Sequence, residues 1–291
     1  MEQYLSYFTA AKVWEIPNIY EVLGFNISEY DLEDITISDH NMRFRSGGKK
    51  VHACGLDLPA NAFAERNGKK VASPELLFLQ LANRLNIHRL ILLGLQMCSF
   101  PPGVSSKAIM TKKKLNQFLA ETSGHRGHRK ALRAAKYLED GSASIMESIA
   151  FMILSLPHAL GGYGLDGAVF NYEITITGRT LPHFKQRRCF VDLYYKQAKI
   201  AVEYESFAYH CRPSEQGKDA IRSAILNRKG VKVLHMNTIQ IYDHLACRDF
   251  AHILATRLGK RIQIRTKEFA KMHTQLRELL PEGKPYTVLY D

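Results

Sequence analysis

Arg188-Cys-Phe-Val-Asp-Leu-Tyr-Tyr-Lys-Gln-Ala-Lys-Ile-Ala-Val-Glu-Tyr-Glu-Ser-Phe-Ala-Tyr-His210 holds two apolar, strand-like runs joined by a short polar link. Each run carries acids, which strands usually avoid. Asp192 lies inside Phe190–Tyr195, and Glu203 and Glu205 lie inside Ile200–Phe207. Residues two apart on a strand share a face, so Glu203 and Glu205 point one way and Val202 and Tyr204 the other. The link Lys196-Gln-Ala-Lys199 predicts a hairpin turn, which brings Asp192 beside the glutamates. Carboxylates packed so closely repel one another unless a positive charge lies between them. A divalent cation with oxygen ligands is the usual answer. The plainer alternative is that Glu203 and Glu205 form the wet face of an edge strand, with Asp192 pointing outward from a half-exposed one.

Upstream, Glu147 follows Ser144-Ile-Met and opens an apolar helix over Ile149–Leu156. Ser-x-x-Glu before an apolar run is the pattern of a capping box, in which Glu147 bonds back to the Ser144 N–H. Alternatively, this helix projects Glu147 toward a metal from beside the sheet. Downstream, His210 closes the second run, as a site residue or as an ordinary surface imidazole. Asp219 and Arg222 stand three apart on a helix predicted for Lys218–Lys229, which stops at Gly230. They form a local ion pair, or Arg222 holds a phosphate or a carboxylate of the site. Gly230-Val-Lys-Val-Leu-His-Met236 predicts one more strand. Helix, strand, strand, helix, strand describes an α/β core.

The first hundred residues read as α+β. Phe8–Trp14 predicts a short helix with Thr9 as its N-cap, and Ile35–Ile37 and Lys49–His52 alternate like short strands. Ser73-Pro-Glu-Leu-Leu opens a helix with Ser at the cap and Pro in the first turn. Arg89–Met97 predicts a second buried helix. A basic stretch follows: Lys112, Lys113 and Lys114, then Arg126, Arg129, Lys130 and Arg133. From Arg126 to Leu138, helical spacing puts Ala131, Leu132, Ala135 and Leu138 on one side and the cations on the other. That side is a solvated helix face, or it contacts phosphates beside an active site. Gly141-Ser-Ala-Ser marks a domain boundary, and Arg261–Asp291 carries a basic amphipathic helix with Phe269, Met272, Leu276, Leu279 and Leu280. The expected domains are therefore 1–140, 141–262 and a helical tail over 263–291.

At 291 residues, 46% hydrophobic and 23% charged, the chain can bury a full core and is not a disordered composition. Its net charge of +12 points to a polyanionic partner, nucleic acid before a membrane surface. Five scattered cysteines without a C-x-x-C argue against a disulfide framework or a structural zinc site, and for a reducing compartment. No signal peptide is evident, and Leu85–Phe100, the most apolar stretch, is too short to span a bilayer. The expected location is the cytoplasm, with no membrane partner.

The ordered set Ser144-x-x-Glu147, Val191-Asp192-Leu193, Ala201-Val-Glu203-x-Glu205-x-x-x-Tyr-His210, Asp219-x-x-Arg222 and Gly230-Val-Lys-Val-Leu234 resembles a bacterial group. That group is related to the very-short-patch mismatch repair endonuclease, within the PD-(D/E)XK nucleases. The region before it, with Phe8–Trp14 and Ser73-Pro-Glu-Leu-Leu, is similar to the body of AbiEi-type antitoxins. The resemblance implies a restriction-endonuclease-like mixed sheet flanked by helices, preceded by a smaller α+β region. It implies Mg²⁺ or Mn²⁺ held by Asp192, Glu203, the Tyr204 backbone carbonyl and Glu147. The implied catalytic residues are Glu147, Asp192, Glu203, Glu205 and His210, with Arg222 and the basic stretch on nucleic acid, DNA foremost. Glu205 stands where that superfamily usually has Lys. The implied activity is phosphodiester hydrolysis in a defence, toxin–antitoxin or repair setting, with a protein partner for the N-terminal region. Two alternatives stand beside it: a catalytically inert nucleic-acid-binding or antitoxin-like regulator on the same fold, and a protein-interaction module.

Overall fold

The computed structural model describes residues 3–39, 41, 44, 47–175, 188–205 and 222–282. The chain divides into two compact units, 1–100 with 106–140, and 101–105 with 141–291. Both are mixed α/β, each built on one mixed sheet with flanking helices.

In the first unit the strands are β1 (Gln3–Leu5), β2 (Glu33–Ile37), β3 (Lys49–Ala53), β4 (Phe63–Arg66) and β5 (Lys69–Ala72), in the order β3-β2-β1-β5-β4. β2–β3 and β1–β5 are parallel, while β1–β2 and β4–β5 are antiparallel. The helices are α1 (Tyr7–Val13), α2 (Ile19–Leu23), α3 (Pro74–Leu81), α4 (Ile87–Met97), α5 (Lys112–Glu121) and α6 (His128–Ala135). α3 starts as its sequence dictates: Ser73 Oγ accepts the Leu76 N–H at 3.2 Å and Pro74 fills the first turn. Every residue of α3 is buried, so it lies in the core rather than on it. α4 crosses close by, because a Cβ on Gly94 would stand 2.7 Å from the Leu138 side chain and 2.9 Å from Phe78. Thr9 is not the cap of α1. Ser6 holds the N-cap position, and Thr9 Oγ1 accepts the Asp34 N–H at 2.7 Å, tying the helix to β2. On α6, Ala131, Ala134 and Ala135 are buried, but Leu132 is 38% exposed and does not join that apolar side.

The second unit runs α7 (Ile145–Ser155), β6 (Ala168–Thr175), β7 (Arg188–Tyr195), β8 (Ile200–Glu205), α8 (helical over 222–228), β9 (Lys232–Asn237), α9 (Thr238–Tyr242), α10 (His244–Arg257) and α11 (Phe269–Arg277). The sheet order is β6-β7-β8-β9, with antiparallel β6–β7 and β7–β8 and parallel β8–β9. Lys196–Lys199 makes the hairpin turn, with Lys199 at a φ of 52°. Gly230 ends α8 at a φ of 74°. β6 is an addition to the sequence reading, so the order becomes helix, strand, strand, strand, helix, strand. Its residues alternate as a strand's do, Ala168, Phe170, Tyr172 and Ile174 on one side and Val169, Asn171, Glu173 and Thr175 on the other, so its pattern was present in the sequence. α11, expected in a separate tail, is grouped with this unit. Leu276 is fully buried, and Phe269 stacks on His273 with ring centroids 5.1 Å apart.

A candidate active site of buried carboxylates

β7 and β8 pair at Tyr195↔Ile200, Tyr194↔Ala201 and Leu193↔Val202, and the ladder stops there. The next rung in that register would join Asp192 to Glu203. Instead Asp192 Oδ2 accepts the Tyr204 N–H at 2.8 Å, so a carboxylate takes the place of a ladder carbonyl. On the other side of β7, Phe170↔Leu193 and Tyr172↔Val191 pair, and the rung between them, Asn171 with Asp192, is missing. Asn171 has a left-handed φ of 42°. Val191 and Tyr194 nevertheless join one buried cluster, although strict alternation would part them to opposite faces. The break in alternation thus falls on Asp192, which stands where the strands separate.

α7 supplies the second acid. Ser144 Oγ accepts the Glu147 N–H at 3.1 Å, which is half of a capping box. The other half is displaced: Glu147 Oε2 accepts the Ala143 N–H at 3.0 Å, one residue before the cap. The same oxygen accepts Asn171 Nδ2 at 2.9 Å, and Asn171 Nδ2 also donates to the Gly141 carbonyl at 2.9 Å. Glu147 therefore caps its helix and faces the sheet at once. Glu203, on β8, accepts Arg222 Nη2 on both carboxylate oxygens, at 2.9 and 3.0 Å. Arg222, at the start of the described part of α8, also donates Nε to Cys189 Sγ at 3.2 Å and Nη2 to the Phe190 carbonyl.

Glu147 and Glu203 are each only 8% exposed. Burial pushes the Glu203 carboxyl up to about 8, the Asp192 charge adds to the rise, and Arg222 opposes it. Burial pushes Glu147 up to about 7, again helped by Asp192 and opposed by the Ala143 N–H and Asn171. Asp192 is also raised by burial, against the Tyr204 N–H and Arg222. These acids feel one another through a dry interior. Among the described residues, no group of three or more His, Cys, Asp and Glu side chains is arranged to hold a metal ion as it stands. The donor chemistry still fits Mg²⁺ or Mn²⁺. These are hard oxygens, and Mg²⁺ keeps several waters while taking one or two carboxylates.

The structure brings Glu147, Asp192, Glu203, Tyr204 and Arg222 together. Glu205 points to a different partner, with Oε1 2.5 Å from Nδ1 of His235 on β9. His210 and Asp219 lie outside the described residues. Lys112, Lys113, Lys114, Arg126, Arg129, Lys130 and Arg133 all belong to the first unit. Two of these side chains are engaged within the fold: Lys112 Nζ pairs with Glu139 Oε2 at 3.5 Å, and Lys130 Nζ donates to the Leu85 carbonyl at 3.0 Å. Lys113, Lys114, Arg126, Arg129 and Arg133 are exposed.

Asn171 and His235 belong to this region without having been singled out from the sequence. Asn171 gave no signal of its own, because its bonds to Gly141 and Glu147 are made only when the distant segments meet. His235 sits inside the quoted run Gly230–Met236, but only the parallel register Glu203↔His235 brings it to the acids. Among the described residues no helix is long and apolar enough to cross a membrane. Comparison with known proteins supplies no relative: no family model, no curated protein and no solved structure matches the chain.

Proposed function

We propose that the second unit is a metal-dependent nuclease with a restriction-endonuclease-like core, hydrolysing phosphodiester bonds in nucleic acid, DNA foremost. The observation that carries this reading is the meeting of Asp192, Glu203 and Glu147 where β7 and β8 separate, the two glutamates buried, Asp192 half-buried, and all three carboxyls raised. Clustered acids whose carboxyls are raised by burial and by one another's charge are candidates for a functional site. Asp192 and Glu203, with Glu147 and the Tyr204 carbonyl, are the residues that would hold Mg²⁺ or Mn²⁺. When bound, such an ion polarises the phosphate and eases deprotonation of a water. Glu147, fixed by Asn171 and the Ala143 N–H, orients what binds between the acids. Arg222 holds Glu203 in place and offers its guanidinium to a scissile phosphate. The exposed cations Lys113, Lys114, Arg126, Arg129 and Arg133 contact backbone phosphates. Such an enzyme works in the cytoplasm, in bacterial defence, toxin–antitoxin control or repair.

A second reading keeps the fold as a catalytically inert nucleic-acid-binding regulator. Two observations favour it: Glu205 occupies the usual Lys position, and Arg222 already bridges both oxygens of Glu203. A plasmid-nicking assay with Mg²⁺ and Mn²⁺ separates the two. The nuclease reading expects nicking by the wild type and a loss of at least about 10²-fold in Asp192→Ala. Equal nicking by both proteins overturns it.

A further inference from the structure

Glu203 and Glu205 share one face of β8, and β9 runs parallel beside it with His235 in register with Glu203. Registered neighbours in a sheet carry their side chains on the same face. The imidazole of His235 therefore stands next to Glu203, and its Nδ1 lies 2.5 Å from Glu205 Oε1. A carboxylate so close to Nδ1 assigns the proton to that nitrogen and leaves the lone pair on Nε2. The His235 side chain is 46% exposed and that of Glu205 32%, against 10% for Glu203. The imidazole thus reaches solvent at the rim of a buried acid cluster.

We infer that His235 is the proton acceptor of this site and that Glu205 is its positioning residue. The inference rests on the nuclease reading and deepens it. Glu205 cannot act as a lysine would, but it can orient a histidine on the neighbouring strand, as carboxylates orient catalytic imidazoles elsewhere. In the step assigned, an attacking water gives a proton to His235 Nε2 while its oxygen forms a bond to phosphorus. The bond from phosphorus to the leaving sugar oxygen breaks, and that oxygen takes a proton from solvent. Glu205, on Nδ1, holds the ring in place through the step.

The test uses the full chain and has two readouts. In ¹⁵N spectra without metal, with His235 assigned by its loss in His235→Gln, the wild type should show the Nδ1–H tautomer, and Glu205→Gln should weaken that preference. With Mn²⁺ and supercoiled plasmid, His235→Ala should lose about 10²-fold or more in cleavage rate while keeping its calorimetric Mn²⁺ affinity. Free imidazole should restore part of that rate, and Glu205→Gln should lose less than His235→Ala. An Nε2–H tautomer in the wild type, or an unimpaired His235→Ala, overturns the inference and leaves the nuclease reading standing. A loss in His235→Ala that comes with lost Mn²⁺ affinity and no imidazole rescue also overturns it, since that is a structural effect. A wild type that neither cleaves nor binds Mn²⁺ removes the nuclease reading, and the assigned step with it.

Discussion

Glu203 shows how much chemistry one position can concentrate. It lies on a central strand, 8% exposed, with Asp192 raising its proton affinity and one arginine opposing that. A carboxyl whose folded-state pKa is raised binds its proton more tightly folded than unfolded. Its stabilising contribution is full below the ordinary carboxylate value of 4.5 and is lost as pH rises through about 8. Glu147 behaves the same way up to about 7. Without metal, thermal melts should therefore give a lower Tm at about pH 8.5 than at about pH 5.5. Glu203→Gln should shrink that difference by several degrees, each kcal/mol being worth about 2–4 °C in a unit of this size. Identical pH dependence in wild type and variant would contradict the assignment. These acids were legible in the sequence because Asp and Glu stand out in apolar strand runs. Their partners were less so. Glu147 carried a capping signal and a site signal at once; it makes the capping bonds in displaced form, and the same carboxylate accepts Asn171 from β6.

At the level of elements, the hairpin of β7 and β8 followed from its two runs and polar link, and α3 and α4 followed from caps and apolar bodies. β6 is missing from the sequence reading although Ala168–Thr175 alternates as regularly as its neighbours; its backbone is distorted at Asn171. That distortion lies beside Asp192: the missing rung at Asn171 and Asp192 accompanies the shift in alternation at β7. Asn171 tolerates its left-handed φ of 42° and spends its side chain on Gly141 and Glu147. Asn171→Val cannot adopt that backbone cheaply and should cost about 1–2 kcal/mol more than Asn171→Gly, which keeps the φ and loses only the hydrogen bonds. Urea unfolding of the two variants checks this, and equal stabilities would mean that the turn in β6 is unstrained. His235 was invisible for another reason: strand pairing, which local sequence does not specify, sets its neighbours.

For the whole molecule the governing number is the net charge of +12. Charge alone says that a polyanion is attractive, not where it binds. The fold sorts the basic stretch into cations engaged within the fold, Lys112 with Glu139 and Lys130 with the Leu85 carbonyl, and exposed ones, Lys113, Lys114, Arg126, Arg129 and Arg133. Reversing Arg129 and Arg133 to Glu should weaken nucleic-acid binding and flatten its log-affinity against log-salt slope by about 1 for each phosphate that is no longer neutralised. Fluorescence anisotropy over a salt series measures both, and an unchanged slope would move the binding surface elsewhere.

The claim on which the rest depends is that the acids at the β7–β8 separation form a cation site. Calorimetric titration of Mn²⁺ and Mg²⁺ into wild type and Asp192→Ala, both checked for folding by circular dichroism, tests it directly. The account predicts saturable binding by the wild type and its loss in Asp192→Ala. Equal binding by the two folded proteins, or none by the wild type, would contradict it.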